Sequence, residues 1–402
     1  MPENRGETFG NYTILEKLGS GGMASVHIAE STMLRKRVAL KRLLPHVAEQ
    51  PELVRSFIHE ARLARYLNHP HIARTFDFGK VGTTYFMAME LVPGPNLTQL
   101  KKQVAATAGM IPLAVSLHII GQILDALDYA HNLTDEHGEP LDIIHRDVSP
   151  PNVIVSNIGT VKLIDFGLAK AARSSIQTQV GTIKGKFSYI APEYLKGQLD
   201  NRVDIWAVGV ISWELLTMRR LFDSSDDFEV LNMVREAVIV PPSRYNPEIP
   251  GELDSIVLTA LERDPRRRWQ SAAAMRVALR NEIRELGIEI TDRRVLQWVE
   301  WAFSQDPKRA ETSGMNELME MLDEPESVNT TLPTVKESKP PRPPGIRTPT
   351  GTKRPKLPTP VVGQQMVKRR RRGRVFVWLL VLALLGGGAY SAYYYDLIRY
   401  VR

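Results

Sequence analysis

Residues 145–152 read HRDVSPPN, and residues 165–167, which begin thirteen positions after Asn152, read DFG. These two stretches hold one candidate base, Asp147, and two hard oxygen donors, Asn152 and Asp165. A carboxylate can orient a hydroxyl nucleophile, and amide and carboxylate oxygens suit a Mg²⁺ ion that bridges nucleotide phosphates. The pattern therefore indicates a phosphoryl-transfer site that uses a metal ion.

The sequence between the two stretches predicts a β-hairpin. Residues 153–155 and 161–164 are rich in β-branched residues, and residues 157–159 form a polar, glycine-containing turn between them. Asn152 and Asp165 flank the hairpin, which is a geometry that can bring both donors to one ion.

The two stretches together resemble the catalytic loop and the metal-binding triplet of bacterial Hanks-type (eukaryotic-like) serine/threonine protein kinases. Either triplet alone arises by chance in many chains, so the interpretation rests on their order and spacing. The resemblance extends over residues 12–286. It implies an α+β, two-lobed protein-kinase fold with a β-rich N-lobe and a helical C-lobe, ATP and Mg²⁺ as cofactors, and protein substrates.

A glycine-rich stretch follows a strand-like run at residues 12–18. Glycines let the backbone approach phosphate oxygens because no Cβ blocks the approach. The family pattern has a third glycine where this chain has Ala24, which adds one methyl group. By itself the stretch could equally be an ordinary hairpin turn. The resemblance implies that the following residues cover the nucleotide: Leu18, Gly19, Ser20, Gly21, Gly22, Met23, Ala24, Ser25 and Val26.

An apolar strand ends at Lys41, and Glu60 lies nineteen residues further on in a helical run. By resemblance this pair holds the α- and β-phosphates of ATP, Ala39 lines the nucleotide site, and the backbone from Glu90 to Val92 bonds the adenine edge. Buried together, the two charges would satisfy each other, whereas either one alone would be uncompensated. A surface ion pair between Glu60 and a neighbouring arginine is the alternative.

The segment from residue 168 to residue 190 is rich in Ser, Thr, Lys and Gly and corresponds to the family's activation loop, which ends at Glu193. Thr182 lies where kinases with an arginine before the catalytic Asp carry an activating phosphate, and here that arginine is Arg146. A phosphate beside it would form charge-assisted hydrogen bonds and order the loop. Thr178 is a second candidate phosphosite, and the alternative is that these hydroxyls only form the loop.

Two further positions match structural elements of the family. Asp204 opens an apolar helix and would tie down the backbone of the catalytic loop. Arg268 stands where the family places the partner of Glu193.

The chain departs from the family at two positions. The lysine usual two residues after the catalytic Asp is Ser149 here, and the threonine that usually bonds it is Lys186. We hypothesise that Lys186 returns the positive charge to the γ-phosphate from the opposite wall, with Ser149 as its hydrogen-bond partner. The same departure leaves open a catalytically impaired pseudokinase scaffold and a shift towards tyrosine acceptors. A small-molecule kinase is disfavoured by the phosphorylatable loop.

The net charge of +7 is unevenly distributed. Residues 334–374 hold 13 lysines and arginines and one acid, and residues 375–402 add one net positive charge, so residues 1–333 carry a net charge of −6. An acidic catalytic part argues against nucleic acid as a partner, and a basic tail indicates a membrane surface. The chain contains no cysteine, which excludes disulfides, and its first ten residues form no signal peptide.

The remaining segments have distinct compositions: a helical extension at residues 287–323, a Pro/Thr/Lys-rich disordered linker at 324–367, a basic juxtamembrane run at 368–374, an uncharged span at 375–395 and a short tail at 396–402. The uncharged span is long enough to cross the hydrocarbon core as a single helix. The preceding basic run places the kinase on the cytoplasmic side of the cell (inner) membrane. Gly388 and Ala392 could pair two such helices in a homodimer.

Overall fold

The structure, a computed structural model, describes residues 6–166, 187–197 and 199–305. The amino-terminal part contains the strands β1 (Thr8–Phe9), β2 (Tyr12–Ser20), β3 (Ala24–Ser31), β4 (Lys36–Leu43), β5 (Thr75–Val81) and β6 (Thr84–Glu90). They form one antiparallel sheet in the order β1-β2-β3-β4-β6-β5. The helices α1 (Pro45–Ala48) and α2 (Pro51–Ala64) follow β4. This is the predicted β-rich lobe.

The alternation of side chains along β4 decides which of them face the site. Val38 and Leu40 pack in an apolar cluster on one face of the sheet. On the other face, Met87 packs with Phe57 of α2. Lys41 is the cross-strand partner of Met87, so the sheet directs its side chain towards α2.

The carboxy-terminal part is helical. Its helices are α3 (Leu97–Thr107), α4 (Leu113–His131), α5 (Arg202–Thr217), α6 (Asp227–Glu236), α7 (Gly251–Ala260), α8 (Ala272–Glu285) and α9 (Asp292–Ser304). Helix α5 is buried at nearly every position and, with α4, forms the centre of the largest apolar core. Helix α5 is buried around nearly its whole circumference, whereas α4 keeps one partly exposed polar stripe that includes His118, Asp125 and Asp128. Both helices are stabilised by the burial of their apolar faces in this core.

Two short strands, β7 (Val153–Val155) and β8 (Val161–Leu163), form an antiparallel hairpin against the helical core. Val153 pairs with Leu163, and Val155 pairs with Val161. The predicted hairpin is confirmed, with β8 one residue shorter than the run that predicted it.

Among the described residues, α4 is the helix that is long and apolar enough to cross a membrane by composition, but it is mostly buried in the protein core. Helix α9 lies within the predicted extension at residues 287–323, and its Val295 and Trp298 are buried in the core of the lobe. The rest of the extension, the linker, the basic run, the uncharged span and the tail lie outside the described residues.

Candidate active site

Lys41 lies between two carboxylates. Its Nζ atom is 3.1 Å from Oε1 of Glu60 on α2 and 2.9 Å from Oδ1 of Asp165 at the end of β8. Burial opposes the charged form of Lys41, but the charges and hydrogen bonds of Asp165 and Glu60 outweigh it and raise the pKa of the lysine. The side chain of Glu60 is only 6% exposed, so the pair is not a surface ion pair. The structure thus brings an ammonium group from the sheet to the carboxylate that follows the hairpin.

Asn152 and Asp165 flank the open end of the β7–β8 hairpin. The backbone N–H of Ile164 donates to the carbonyl of Asn152 at 3.0 Å, which continues the ladder beyond the strands. Asp165, two residues after the end of β8, adopts a left-handed conformation with φ of 56°. The backbone pairing therefore places both oxygen donors at the same end of the hairpin.

The donor set fits a Mg²⁺ ion. The side-chain N–H of Asn152 donates to the carbonyl of Asp147 at 2.9 Å, which fixes the amide and turns its oxygen away from that carbonyl. Asp165 uses Oδ1 for Lys41 and has a second carboxylate oxygen. Two hard oxygen donors supplied by the protein are what a Mg²⁺ site shared with substrate phosphates requires.

Asp204 anchors the backbone of the catalytic loop. Its carboxylate accepts hydrogen bonds from the backbone N–H groups of His145 and Arg146, both at 2.8 Å, and from Nε2 of His131, also at 2.8 Å. Burial opposes ionisation of Asp204, but these bonds and the histidine charges outweigh it and lower the pKa of the carboxyl. Arg146 has a left-handed φ of 63°. The predicted anchoring role of Asp204 is visible in these bonds, whereas nothing in the sequence pointed to His131.

The carbonyl group of Asp147 is held twice. Besides the amide of Asn152, the hydroxyl of Ser149 lies 3.3 Å from it and can donate to it. Ser149 is 2% exposed, so its hydroxyl belongs to the packing of the catalytic loop. Lys186, the predicted counterpart of Ser149, lies outside the described residues, as do Thr178 and Thr182.

The stretch predicted to cover the nucleotide forms the end of the β2–β3 hairpin, where Gly19 pairs with Val26 and Ser20 with Ser25. The N–H of Gly21 donates to the carbonyl of Ala24 at 2.9 Å. This amide therefore closes the turn in the present arrangement and does not point towards a phosphate. The methyl group of Ala24 is buried, so the fold accommodates the missing glycine.

The connector between the lobes begins at Glu90. Its N–H donates to the carbonyl of Arg74 at 2.8 Å, and its carboxylate lies 3.0 Å from Nζ of Lys162 on β8. The Glu90 N–H is therefore used by the fold and is not available to adenine. Val92 is buried next to this segment, and Ala39 pairs with Met89 on the same side as Lys41.

A buried ion pair supports the end of the activation segment. Arg268 donates to both carboxylate oxygens of Glu193, at 2.6 and 3.0 Å, and its side chain is fully buried. A second buried acid, Glu214 on α5, accepts from Lys101 at 2.6 Å and from the hydroxyl of Tyr189 at 2.9 Å. No sequence motif pointed to Glu214, although a carboxylate in the middle of an apolar helix was a usable signal.

A two-lobed fold in which a buried lysine pairs with two carboxylates is typical of proteins that bind nucleotide phosphates. The chain matches the family described as "Protein kinase domain" over residues 12–279, two thirds of its length. The chain therefore belongs to the protein kinase domain family.

Similar proteins support this assignment. The chain is 36% identical over 283 residues to the tyrosine-protein kinase MasK of Myxococcus xanthus, which covers 69% of this chain and 44% of that protein. It is 34% identical over 267 residues to the serine/threonine-protein kinase PrkC of Bacillus subtilis, which covers 66% of this chain and 39% of that protein. The chain thus spans less than half the length of these curated relatives.

A solved kinase-domain structure also matches the fold of this chain. The kinase domain of Mycobacterium tuberculosis PknI aligns with a TM-score of 0.53 and 27% identity, and the match covers 70% of this chain and all of that domain.

Proposed function

We propose that this protein is an ATP-dependent serine/threonine protein kinase that transfers the γ-phosphoryl group of ATP to protein hydroxyls, including its own. The observation that carries the proposal is the position of Lys41 between Glu60 and Asp165. It joins the nucleotide-facing sheet to the hairpin that also carries Asn152.

We assign the roles of the residues from the resemblance to the kinase family. Asp147 orients the acceptor hydroxyl and accepts its proton. Lys41 neutralises charge on the α- and β-phosphates, and Glu60 keeps the ammonium group in place. Asn152 and Asp165 would hold Mg²⁺, which supplies electrostatic stabilisation of the phosphates when it is bound.

Lys186 is proposed to replace the missing catalytic-loop lysine. The support is that Ser149 is buried against the Asp147 carbonyl and cannot itself supply a positive charge. Loss of such a charge costs about 100-fold or more in rate. Lys186→Ala is expected to lower the transfer rate by that factor, and Lys186→Arg is expected to retain part of the rate. An unchanged rate in Lys186→Ala would refute the hypothesis that Lys186 replaces the missing lysine.

Activation is proposed to proceed by phosphorylation of Thr182, with Thr178 as a second site. In the described part of the chain, the Nε atom of Arg146 is buried without a hydrogen-bond partner. A phosphate on the activation segment would provide an acceptor for it. Site mapping of the autophosphorylated chain, before and after Thr182→Ala, tests this proposal.

The acceptor class needs its own experiment, because one similar protein is named a tyrosine kinase and the wall at Ser149 departs from the serine/threonine pattern. The full chain and its Asp147→Asn form are incubated with radiolabelled ATP, Mg²⁺ and protein acceptors, and the labelled amino acids are identified. Phosphoserine and phosphothreonine in the parent alone support the proposal. Phosphotyrosine alone would instead identify a tyrosine kinase. Nucleotide binding without transfer would identify a catalytically impaired scaffold.

We further propose that residues 375–395 anchor the protein in the cell (inner) membrane, with the kinase domain in the cytoplasm. The support is the uncharged length of this span and the basic run before it. Fractionation of the full chain and of a chain that ends at residue 367 tests the anchor. If both remain soluble, the anchor is wrong.

Crosslinking of the full chain with and without Gly388→Leu tests the proposed homodimer.

A further inference from the structure

Helix α9 lies beyond the region that matches the kinase family, yet it is integrated in the fold. The family match ends at residue 279, and α9 begins at Asp292 after the capping residue Thr291. The first turn of α9 does more than pack, because it contacts the turn of the β7–β8 hairpin through polar groups.

The carboxylate of Asp292 is the centre of this contact. Its Oδ2 accepts from the hydroxyl of Thr160 at 2.8 Å, and its Oδ1 accepts from the side-chain amide of Gln122 at 2.7 Å. Nε2 of His118 lies 2.8 Å from the same Oδ1. Burial opposes ionisation of Asp292, but the bonds from Thr160, Gln122 and His118 outweigh it and lower the pKa of the carboxyl. Asp292 is therefore a charged acceptor held by three side chains.

Gln122 relays this contact to the backbone of the hairpin. Its amide oxygen accepts from the N–H of Val161 at 2.7 Å in a buried position, while its amide nitrogen donates to Asp292. These two partners fix the orientation of the amide, because the backbone N–H can only donate and the carboxylate can only accept. The first residue of β8 is thus held from α9 through one side chain of α4.

The backbones of the hairpin turn and of α9 also meet directly. Gly159 has a φ of +83°, and a Cβ at this position would lie 1.9 Å from the carbonyl oxygen of Asp292. Only glycine allows this close approach. The contact is therefore built from both sides, by a glycine in the turn and by a charged acceptor at the start of the helix.

The opposite end of the same hairpin carries Asn152 and Asp165. Thr160 and Asp165 are five residues apart, about 16 Å along an extended strand, and the paired strands between them form a short rigid ladder. We propose that Asp292 is a positioning residue for the metal site. By holding the turn, it sets the direction of the hairpin and so the meeting of Asn152 and Asp165. This inference rests on the proposed kinase function.

The test measures metal-dependent nucleotide binding as well as turnover. The full-length parent, Asp292→Asn and the control Arg293→Gln are titrated with Mg²⁺ in the presence of a fluorescent ATP analogue. Arg293 is exposed and adjacent on the same helix. Since partners behind metal ligands typically change metal affinity by 10-fold to 100-fold, and this one acts through a hairpin, we expect Asp292→Asn to raise the Mg²⁺ midpoint about 3-fold to 10-fold. Arg293→Gln should keep the midpoint of the parent.

A role limited to stability gives a different result. In that case Asp292→Asn lowers the melting temperature but leaves the Mg²⁺ midpoint at the value of the parent, and the inference is overturned. If Asp292→Asn does not fold, Thr160→Val decides the question, because it removes one donor only. Thr160→Val should raise the Mg²⁺ midpoint, whereas Thr160→Ser, which keeps the hydroxyl, should have the midpoint of the parent. A parent that binds no nucleotide refutes the proposed function itself, whereas a parent that transfers phosphate beside a variant with an unchanged midpoint refutes the positioning role alone.

Discussion

Replacing Asp204 by asparagine removes the charge that holds the catalytic loop without changing the size of the side chain. The carboxylate accepts from the N–H groups of His145 and Arg146 and from His131. An asparagine offers one oxygen and one NH₂ group, so at least one buried N–H loses its acceptor. That loss costs about 1–3 kcal/mol, and the remaining bonds weaken by roughly 1 kcal/mol when the acceptor becomes neutral. We expect the free energy of unfolding to fall by about 3 kcal/mol.

The same substitution should slow catalysis. Arg146 holds a left-handed φ of 63° beside the catalytic Asp147, and such a conformation stores about 1–3 kcal/mol of strain that the surrounding bonds must hold. When the loop relaxes, the base moves, and a displacement of about 1 Å costs about 100-fold in rate. The transfer rate of Asp204→Asn should therefore fall by about that factor while the nucleotide still binds.

The pH dependence provides an internal check. The pKa of Asp204 is lowered in the folded protein, so its contribution to stability is fully present above the pKa of the unfolded chain, about 3.9. It is lost as the pH falls through the lower folded value. The difference in unfolding free energy between parent and Asp204→Asn should be complete at neutral pH and should narrow below about pH 4.

Urea unfolding of the parent, Asp204→Asn and the control Glu300→Gln measures these differences. Glu300 is an exposed carboxylate on α9, and its substitution changes the net charge by the same amount. The control should stay within about 0.5 kcal/mol of the parent. The account of the loop is refuted if Asp204→Asn falls in the same range, or if its deficit persists unchanged at low pH.

Three further substitutions test other parts of the structure. Lys41→Met should lower the phosphoryl-transfer rate at least about 100-fold, because the phosphates lose their main protein charge; a rate assay that finds parent activity refutes the site. Arg268→Ala should lower the free energy of unfolding by about 3–5 kcal/mol, because it leaves Glu193 buried and unpaired, and urea unfolding should show partial recovery when Glu193→Gln is added. Gly159→Ala should destabilise the protein far more than Gly138→Ala, because both glycines have positive φ but only the first would place a Cβ against another backbone; similar melting temperatures would contradict the packing at the hairpin turn.

The resemblance to the kinase family predicted the two-lobed fold, and short local patterns predicted the hairpin at the candidate site. The hairpin between Asn152 and Asp165 followed from β-branched runs and a glycine turn, and an apolar run predicted the strand that carries Lys41. The pairing of Lys41 with Glu60 was predicted from the resemblance, and the distance between them agrees with it.

Other contacts depend on packing between distant segments, which a sequence pattern does not carry. The bond of Asp292 to Thr160 joins residues 132 positions apart, and neither residue belongs to a recognisable motif. His131 and Glu214 were missed for the same reason. A polar residue in an apolar helix indicates that it has a buried partner, but it does not indicate which residue that partner is. The hydrogen bond from the Gly21 N–H to the Ala24 carbonyl was not predicted either. Glycines in the loop permit several backbone conformations, and the sequence pattern does not determine which one is adopted.

The most direct test of the central claim compares single-turnover phosphoryl transfer from radiolabelled ATP by the full chain and by Asp147→Asn, with Mg²⁺ and with nucleotide binding measured in parallel. We expect transfer by the parent and a rate in the variant that is lower by about 100-fold to 10,000-fold, as for a lost general base. Nucleotide affinity should be unchanged. Equal rates in the two proteins, or nucleotide binding by the parent without any transfer, would contradict the claim that this site is a kinase active site.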